Sequence, residues 1–310
     1  MINVNSEIQK LGILKTNHFF IKREDLIPYS FGGNKARKGL LFFHEIDRGK
    51  YDCVVTYGSS HSNHCRIIAN MAASREMPCH IIEPEEVSDI TFNSRMIELF
   101  GAQITKAQVK NVHHTIEKKI EELKRQGKRP YFIPGGGHGD IGTEAYVQCY
   151  REIKEYEEKN NIHFGYIFFA SGTGTTQAGL VCGQLIYGDE RKIIGISIAR
   201  KNPYGENVIF ESVCSYMKSK KIDRSDHEKK SEIIFDDHFT GQGYGKNNPQ
   251  ILQTIRHIMI EYGIPLDSTY TGKAFWGMEQ YISQENVRDE NILFIHTGGT
   301  PLYFDDISQI

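Results

Sequence analysis

The hydrophobic positions of this chain form short, nearly continuous apolar runs separated by longer amphipathic stretches. Short β-branched runs bounded by polar or glycine-rich segments predict buried strands, and apolar residues with helical spacing predict helices. Strands are predicted at 53–57, 80–83, 103–106, 131–134, 166–170, 193–197, 233–235 and 292–296. Helices are predicted most clearly at 62–75, 112–126, 142–159, 176–187, 249–262 and 272–283.

The alternation of apolar strands with helices predicts the fold class. It is typical of α/β proteins in which mostly parallel sheets are covered by helices on both faces, giving three layers. Four of the predicted strands lie between about 45 and 155, and a second set starts near 166. A chain of 310 residues is long enough for two domains. We therefore expect two open twisted sheets.

Charge and composition limit the kinds of partner that the chain is expected to bind. The chain has 37 basic and 39 acidic side chains, which argues against nucleic acid or an anionic membrane as the main partner. No apolar run reaches the roughly 20 residues of a membrane helix, and the first residues lack the features of a signal peptide. The six cysteines form no CxxC pair. Buried free thiols in a cytoplasmic protein are therefore expected.

A loop rich in glycine and threonine follows the predicted strand 166–170 and opens a helix. Its residues are Gly172, Thr173, Gly174, Thr175 and Thr176. Backbone N–H groups at a helix N-terminus, together with hydroxyl donors, suit a bound phosphate. The spacings GxxxxGK[ST] and GxGxxG are both absent, so a nucleotide site is not indicated. A plain tight turn is the alternative.

A charged loop is predicted at 32–38, where Lys35 and Lys38 follow two glycines. A lysine that can form an imine, together with a phosphate-binding loop, is what pyridoxal phosphate requires. From the residues alone, either lysine could have this role.

Five further segments could contribute to a site at the ends of the strands. Ser62 and Asn63 follow a strand, where they could instead cap a helix. His61, His64 and Cys65 raise the possibility of a metal, but no third ligand has convincing spacing, so no metal is expected. The remaining positions, each near glycine, are His138, Tyr244, Tyr270 and Thr297.

Taken together, these segments resemble the pyridoxal-phosphate enzymes that comprise D-cysteine desulfhydrase and 1-aminocyclopropane-1-carboxylate deaminase. The resemblance extends from Lys22–Leu26 to His296–Pro301. It includes, in order, Gly33-Asn34-Lys35, Ser62-Asn63, Thr173–Gly179, Tyr244-Gly245 and Tyr270–Lys273. It implies the tryptophan synthase β-like fold, type II among these enzymes. It also implies a large cofactor-binding domain (1–44 with 156–310), a small domain (45–155) and a homodimer.

The resemblance also implies roles for single residues. Lys35, rather than Lys38, would bind the cofactor as an imine, and Asn63 would donate to its phenolic oxygen. The 172–176 loop would hold the phosphate, and Thr297 would face the pyridine nitrogen. Ser62, Tyr244 and Tyr270 would lie on the substrate side as catalytic residues. The substrate-binding set would be Ser62, Asn63, His64, His61 and His138.

The residue after Tyr270 bears on the reaction. Deaminase-type members are expected to have Tyr-Glu-Gly-Lys, whereas this chain has Thr271. A hydroxyl partner leaves the ring a weaker electron sink than a carboxylate would. This favours β-elimination on a small amino acid such as D-cysteine, giving pyruvate, ammonia and the leaving group. The alternatives are 1-aminocyclopropane-1-carboxylate deaminase and a β-replacement synthase. His61, His138 and Lys246 depart from the family pattern and leave the substrate open.

Overall fold

The computed structural model describes residues 4–310. Its ten strands are β1 (Ile8–Leu14), β2 (Asn17–Lys22), β3 (Cys53–Tyr57), β4 (Cys79–Pro84), β5 (Gln103–Ala107), β6 (Pro130–Ile133), β7 (Tyr166–Ser171), β8 (Lys192–Ser197), β9 (Ile234–Asp236) and β10 (Asn291–Ile295). Its helices are α1 (Asn34–Gly49), α2 (Asn63–Ala73), α3 (Phe92–Leu99), α4 (Val112–Arg125), α5 (Asp140–Asn160), α6 (Thr175–Tyr187), α7 (Tyr204–Ser219), α8 (Asp226–Ser231), α9 (Pro249–Tyr262), α10 (Thr271–Gln284) and α11 (Thr300–Asp306).

The strands form two sheets. The larger has the order β1-β2-β10-β7-β8-β9, and the smaller has the order β5-β4-β3-β6. Every neighbouring pair is parallel except β1 and β2, which form an antiparallel hairpin at one edge. The predicted class, an α/β protein with mostly parallel sheets, is confirmed.

The large sheet is buried on both faces because its central strands are apolar at most positions. In β7, Ile167 and Phe169 pack into the core on one face, and Phe168 and Ala170 pack into the core on the other. This period of two is the geometry of a strand, and burial on both faces requires apolar residues in both registers. The helices on the two faces complete three layers.

Helices α5 and α6 lie in one layer and pack closely against each other. A Cβ on Gly179 would lie 2.4 Å from the Thr143 carbonyl oxygen and from the Tyr146 Cβ. A Cβ on Gly183, one turn further on, would lie 2.5 Å from the Tyr150 Cβ. Only glycine therefore allows these two helices to approach so closely.

The two sheets have separate cores. The apolar side chains of α1 and α2 pack with the small sheet, and those of α5 pack with the large sheet. By packing, α1 therefore belongs with the small sheet and α5 with the large one. This differs from the predicted division into 1–44 with 156–310 and 45–155, and the division itself stays a prediction.

The predicted charged loop at 32–38 is wrong from Asn34 onward, because α1 begins there. Arg37 and Lys38 are 3% and 1% exposed, so they occupy the buried face of this helix. Arg37 binds Glu24 and Glu152, and Lys22 also binds Glu152. These carboxylates, which are distant in the sequence, balance the charge of Arg37 and so allow α1 to bury it.

Other expectations concern membranes and cysteines. None of the helices in residues 4–310 has the length and apolar character needed to span a membrane. All six cysteines are free, and all but Cys214 are buried, as predicted.

Candidate active site

A cavity of about 470 Å³ lies where the carboxyl ends of the strands of both sheets meet. Its walls come from the segments that follow β3, β6, β7, β8 and β10, and from the start of α1. This is the position at which open α/β sheets bind ligands. The cavity is lined by Asn34, Lys35, Tyr57, Gly58, Ser59, Ser62, Asn63, His64, Pro134, Gly135, Gly136, His138, Ala170, Gly172, Thr173, Ile198, Ala199, Arg200, Tyr244, Tyr270 and Thr297.

Most of the predicted site residues line this cavity, although they come from distant parts of the sequence. The four predicted catalytic residues, Lys35, Ser62, Tyr244 and Tyr270, are all in the lining. Of the other predicted residues, Asn63, His64, His138, Gly172, Thr173 and Thr297 also line it, whereas His61, Gly174, Thr175 and Thr176 do not.

Lys35 is held in the first turn of α1 by backbone contacts. Gly33 has φ 97°, and a Cβ there would lie 2.7 Å from the Thr297 carbonyl oxygen. The Asn34 N–H donates to that same oxygen at 2.9 Å. The Lys35 Nζ donates to the Gly136 carbonyl oxygen at 3.1 Å. Burial lowers the pKa of Lys35 from 10.5 to about 8, so its neutral amine is accessible near neutral pH.

Lys38 lies one turn further along α1 and is outside the cavity lining. Its Nζ has no hydrogen-bond partner among residues 4–310 and lies 5.7 Å from the centre of the Tyr146 ring. Burial, together with the charge of Lys35, holds the pKa of Lys38 well below its usual value.

The loop before α6 has the geometry of an anion-binding turn. Gly174 adopts the left-handed conformation with φ 89°, and α6 begins directly after it. Within residues 4–310, the N–H groups of Thr175 and Thr176 have no acceptor, as is usual in the first turn of a helix. The Thr176 Oγ1 accepts from the Asn34 Nδ2 at 3.1 Å, and the Thr175 Oγ1 lies 3.0 Å from the His138 Nδ1. The N–H groups of both threonines and the hydroxyl hydrogen of Thr176 are thus free to bind an anion.

Ser62 and His64 are fixed at the start of α2. Ser62 caps this helix, and its Oγ accepts from the Cys65 N–H at 3.2 Å. The single hydroxyl hydrogen of Thr56 goes to the Ile133 carbonyl oxygen, so His64 must donate from Nε2 to the Thr56 Oγ at 2.8 Å. Burial and the charges of Lys35 and Lys38 hold the pKa of His64 well below its usual value. His64 is therefore a neutral imidazole.

Tyr244 and Tyr270 form one unit, since their hydroxyl oxygens are 2.6 Å apart. Burial raises the pKa of both phenols, so both remain protonated at neutral pH. His61 stands outside this pair, 6.3 Å from the Tyr244 ring centre, and its Nε2 lies 3.5 Å from Asp89.

Thr271 does not reach the cavity. It is fully buried at the start of α10, where its hydroxyl donates to Asp267 at 2.8 Å. Thr297 is therefore the hydroxyl that lines the cavity at the end of β10.

Sequence reasoning did not identify Tyr57 and Arg200, which also line the cavity. Tyr57 is the last residue of β3, and Arg200 lies three positions beyond β8, where its guanidinium donates to the Thr173 carbonyl oxygen at 3.1 Å. Their positions at the carboxyl ends of strands are the signal that could have revealed them.

Comparisons with known proteins identify the family. The family model described as "Pyridoxal-phosphate dependent enzyme" matches residues 5–298. D-cysteine desulfhydrase from Serratia proteamaculans (strain 568) is 32% identical over 306 residues, covering 96% of this chain and 91% of the relative. The solved structure of an ACC deaminase homologue has a TM-score of 0.88 at 29% identity, covering 99% of this chain and 93% of that one.

A more distant structure has the same fold. A threonine deaminase from Solanum lycopersicum has a TM-score of 0.65 at 17% identity, with 99% of this chain and 82% of that chain covered. The chain is a pyridoxal-phosphate-dependent enzyme, as predicted, with the tryptophan synthase β-like fold, type II. It belongs to the family that comprises D-cysteine desulfhydrase and 1-aminocyclopropane-1-carboxylate deaminase.

The residues present fit this cofactor. Lys35 offers a partly buried amine, the 172–176 loop offers unpaired N–H groups at a helix N-terminus, and Asn63 and Thr297 offer polar groups in the same cavity.

The lowered pKa of Lys35 makes a testable prediction. Only a neutral amine reacts with the cofactor's aldehyde, so covalent uptake by the cofactor-free protein should rise with pH to a midpoint near 8 and then level off. Stopped-flow absorbance across a pH series measures this rate, and N-acetyl-lysine reports the pH dependence of the free cofactor. An uptake rate that keeps rising toward pH 10.5, as for an ordinary lysine, would contradict the assignment.

Proposed function

We propose that this chain is a pyridoxal-phosphate-dependent lyase that carries out β-elimination on D-cysteine or a similar small amino acid. The observation that carries the proposal is the 32% identity with D-cysteine desulfhydrase over 96% of the chain. The arrangement of the cavity supports it, because the Lys35 amine, the paired phenols of Tyr244 and Tyr270 and the Ser62 hydroxyl surround the same space. In the overall reaction, D-cysteine and water give pyruvate, ammonia and hydrogen sulfide.

In this proposal, Lys35 binds the cofactor covalently. Asn63 donates to its phenolic oxygen, and Thr297 faces its ring nitrogen. The 172–176 loop binds the phosphate through the N–H groups of Thr175 and Thr176, with the Thr176 hydroxyl as a further donor. When bound, the cofactor would withdraw electrons from the substrate's α-carbon and so acidify its proton.

The Lys35 amine, once displaced by the substrate's own amine, takes the α-proton at Nζ. A pKa of about 8 suits this role, since the neutral fraction of the amine near pH 7 is then far larger than for an ordinary lysine with a pKa of 10.5. Ser62, at the N-terminus of α2, and the neutral His64 bind the substrate carboxylate and the substrate atoms next to it. In the Tyr244–Tyr270 pair one hydroxyl donates to the other, and the second donates toward the leaving group or the carboxylate.

His138 and His61 complete the proposed substrate side. The His138 ring is held by Thr175 at 3.0 Å and lines the cavity, which suits contact with a polar or anionic substituent. His61 lies beside Tyr244 and outside the lining, so its contribution would be at the entrance.

The substrate assignment has a direct test. Purified protein loaded with pyridoxal phosphate should release pyruvate and sulfide in equal amounts from D-cysteine without a second substrate, and much more slowly from L-cysteine. The family also contains deaminases, so 1-aminocyclopropane-1-carboxylate belongs in the same panel, with 2-oxobutanoate as its product. If 2-oxobutanoate formed faster than pyruvate, the deaminase would replace the lyase. Incorporation of an added thiol in place of pyruvate release would indicate a replacement synthase.

A homodimer and a cytoplasmic location are part of the same proposal. The homodimer rests on the family resemblance, and the location is supported by six free cysteines, which suit a reducing compartment. Sedimentation of the cofactor-loaded protein tests the dimer.

A further inference from the structure

Arg66 is a buried cation that no carboxylate balances. Its side chain is 0% exposed, and none of the ion pairs among residues 4–310 includes it. Its Nε has no hydrogen-bond partner in the same part of the chain. Burial lowers its pKa to about 9, which is far from the usual value of an arginine. Such a group is costly to bury, so a compensating interaction is to be expected.

The Arg66 guanidinium contacts the cavity through Asn63. Its Nη2 donates to the Asn63 Oδ1 at 3.2 Å, and the Asn93 Nδ2 donates to the same oxygen at 2.9 Å. Because two donors bind the amide oxygen on its protein side, the Asn63 Nδ2 is left for the cavity that this residue lines. The orientation of this amide is thus set by Arg66 and Asn93.

The same guanidinium also contacts the segment that leads to Lys35. Its Nη1 donates to the Ser30 Oγ at 3.0 Å. Ser30 is the middle one of three consecutive non-glycine residues with positive φ, at 86°, 43° and 61° for Tyr29, Ser30 and Phe31. Such a run is strained and must be held by its surroundings. Arg66 therefore joins the backbone before Lys35 to the amide of Asn63.

We propose that Arg66 is a positioning residue that, with Asn93, aims the Asn63 N–H at the cofactor's phenolic oxygen and favours the anionic form of that oxygen. The inference rests on the proposed role of Asn63. A cation behind the amide strengthens its N–H as a donor and stabilises negative charge on the acceptor. The anionic phenolic oxygen of the cofactor would thus supply the negative charge that Arg66 lacks as a partner in the protein alone.

The variants Arg66→Met, Arg66→Lys and Asn93→Leu separate charge from hydrogen bonding. In Arg66→Met, the pH at which the visible band of the bound cofactor titrates should rise by about one unit. Its cofactor Kd should weaken about tenfold. Arg66→Lys retains the charge and should restore the titration. Asn93→Leu should weaken the Kd several-fold with the titration unchanged, because it removes a donor and no charge.

Arg75→Met is the matched control, since Arg75 is a surface residue just beyond α2 that pairs with Asp47 at 3.0 Å. It should change neither quantity. A folded Arg66→Met protein with the wild-type titration and a Kd within about twofold of wild type would overturn the inference. If Arg66→Met fails to fold, Asn93→Leu decides, and an unchanged Kd there overturns it. A wild-type protein that binds no cofactor would instead refute the proposed function itself.

Discussion

Replacing Lys35 by alanine will remove both turnover and the visible absorption band of the bound cofactor. The Lys35 Nζ lies in the cavity with a pKa of about 8, and the other lysine nearby, Lys38, lies outside the lining. Loss of a covalent anchor that also acts as the base should lower kcat by roughly a thousandfold or more. Spectra of the purified variant and pyruvate release measure the two effects.

The matched control is Lys118→Ala, which changes an exposed lysine on α4. It should retain the band and the wild-type rate. If Lys35→Ala kept a normal band and normal turnover, the assignment of Lys35 would be wrong. Added methylamine offers a second check, because a small amine that restores part of the rate would identify the missing group as a base.

Replacing Arg37 by methionine will destabilise the fold more than any surface change. Arg37 donates to Glu24 at 2.6 and 2.7 Å and to Glu152 at 2.6 and 2.9 Å, and all three side chains are buried. The variant leaves Glu24 without this cation and Glu152 with Lys22 alone. We expect a loss of about 3–5 kcal/mol in the free energy of unfolding, measured in urea at pH 7.

The contacts of Arg37 with Glu24 and Glu152 also predict how the stability of the fold changes at acid pH. Burial alone would raise the pKa of Glu24, but the charge and hydrogen bond of Arg37, with the charge of Lys22, lower it from 4.5 to about 2. The stability from this carboxylate is therefore fully present above about pH 4.5 and is lost as the pH falls through about 2. Arg37→Met should abolish most of this acid dependence.

The control for Arg37→Met is Arg75→Met, since the Arg75–Asp47 pair lies at the surface, with its side chains 26% and 48% exposed. Exposed pairs contribute about 0–1 kcal/mol, so this change should be small. Equal effects of the two variants would show that the buried network is not what holds α1 in place.

The strand pattern could be predicted from the sequence because the central strands are continuous apolar runs. All eight predicted strands are present within one or two residues of their observed ends. The β1–β2 hairpin was not predicted, since β1 is an edge strand with polar residues and a glycine at its centre. An edge strand lacks the buried pattern on both faces that marks the others.

The start of α1 was missed for a different reason. Its buried face includes Arg37 and Lys38, which the sequence presents as solvated charges. The burial of Arg37 depends on Glu24 and Glu152, and Glu152 is 115 residues away from Arg37. No local pattern contains that information.

The same holds for the site, where neighbouring residues in the sequence indicate some positions and contacts between distant segments cannot be predicted. Short segments that follow strands indicated Ser62, Asn63 and Thr297, because the end of a strand can be recognised from neighbouring residues, and Tyr244 was indicated by the glycines beside it. The contacts that other segments make with the hydroxyls of Thr175 and Thr176 could not be predicted in this way. Arg66 was overlooked because its contact to Ser30 is long-range, as is the contact of Asn93 with the Asn63 amide oxygen that Arg66 also binds.

The lysine that carries the cofactor can be identified chemically. Reduction of the cofactor-loaded protein with borohydride, followed by proteolysis and mass spectrometry, locates this residue. We expect stoichiometric modification of Lys35 and none of Lys38, because Lys35 is the lysine whose amine lines the cavity. Modification of Lys38 or of any other lysine in place of Lys35, or a protein that takes up no cofactor, would contradict this expectation.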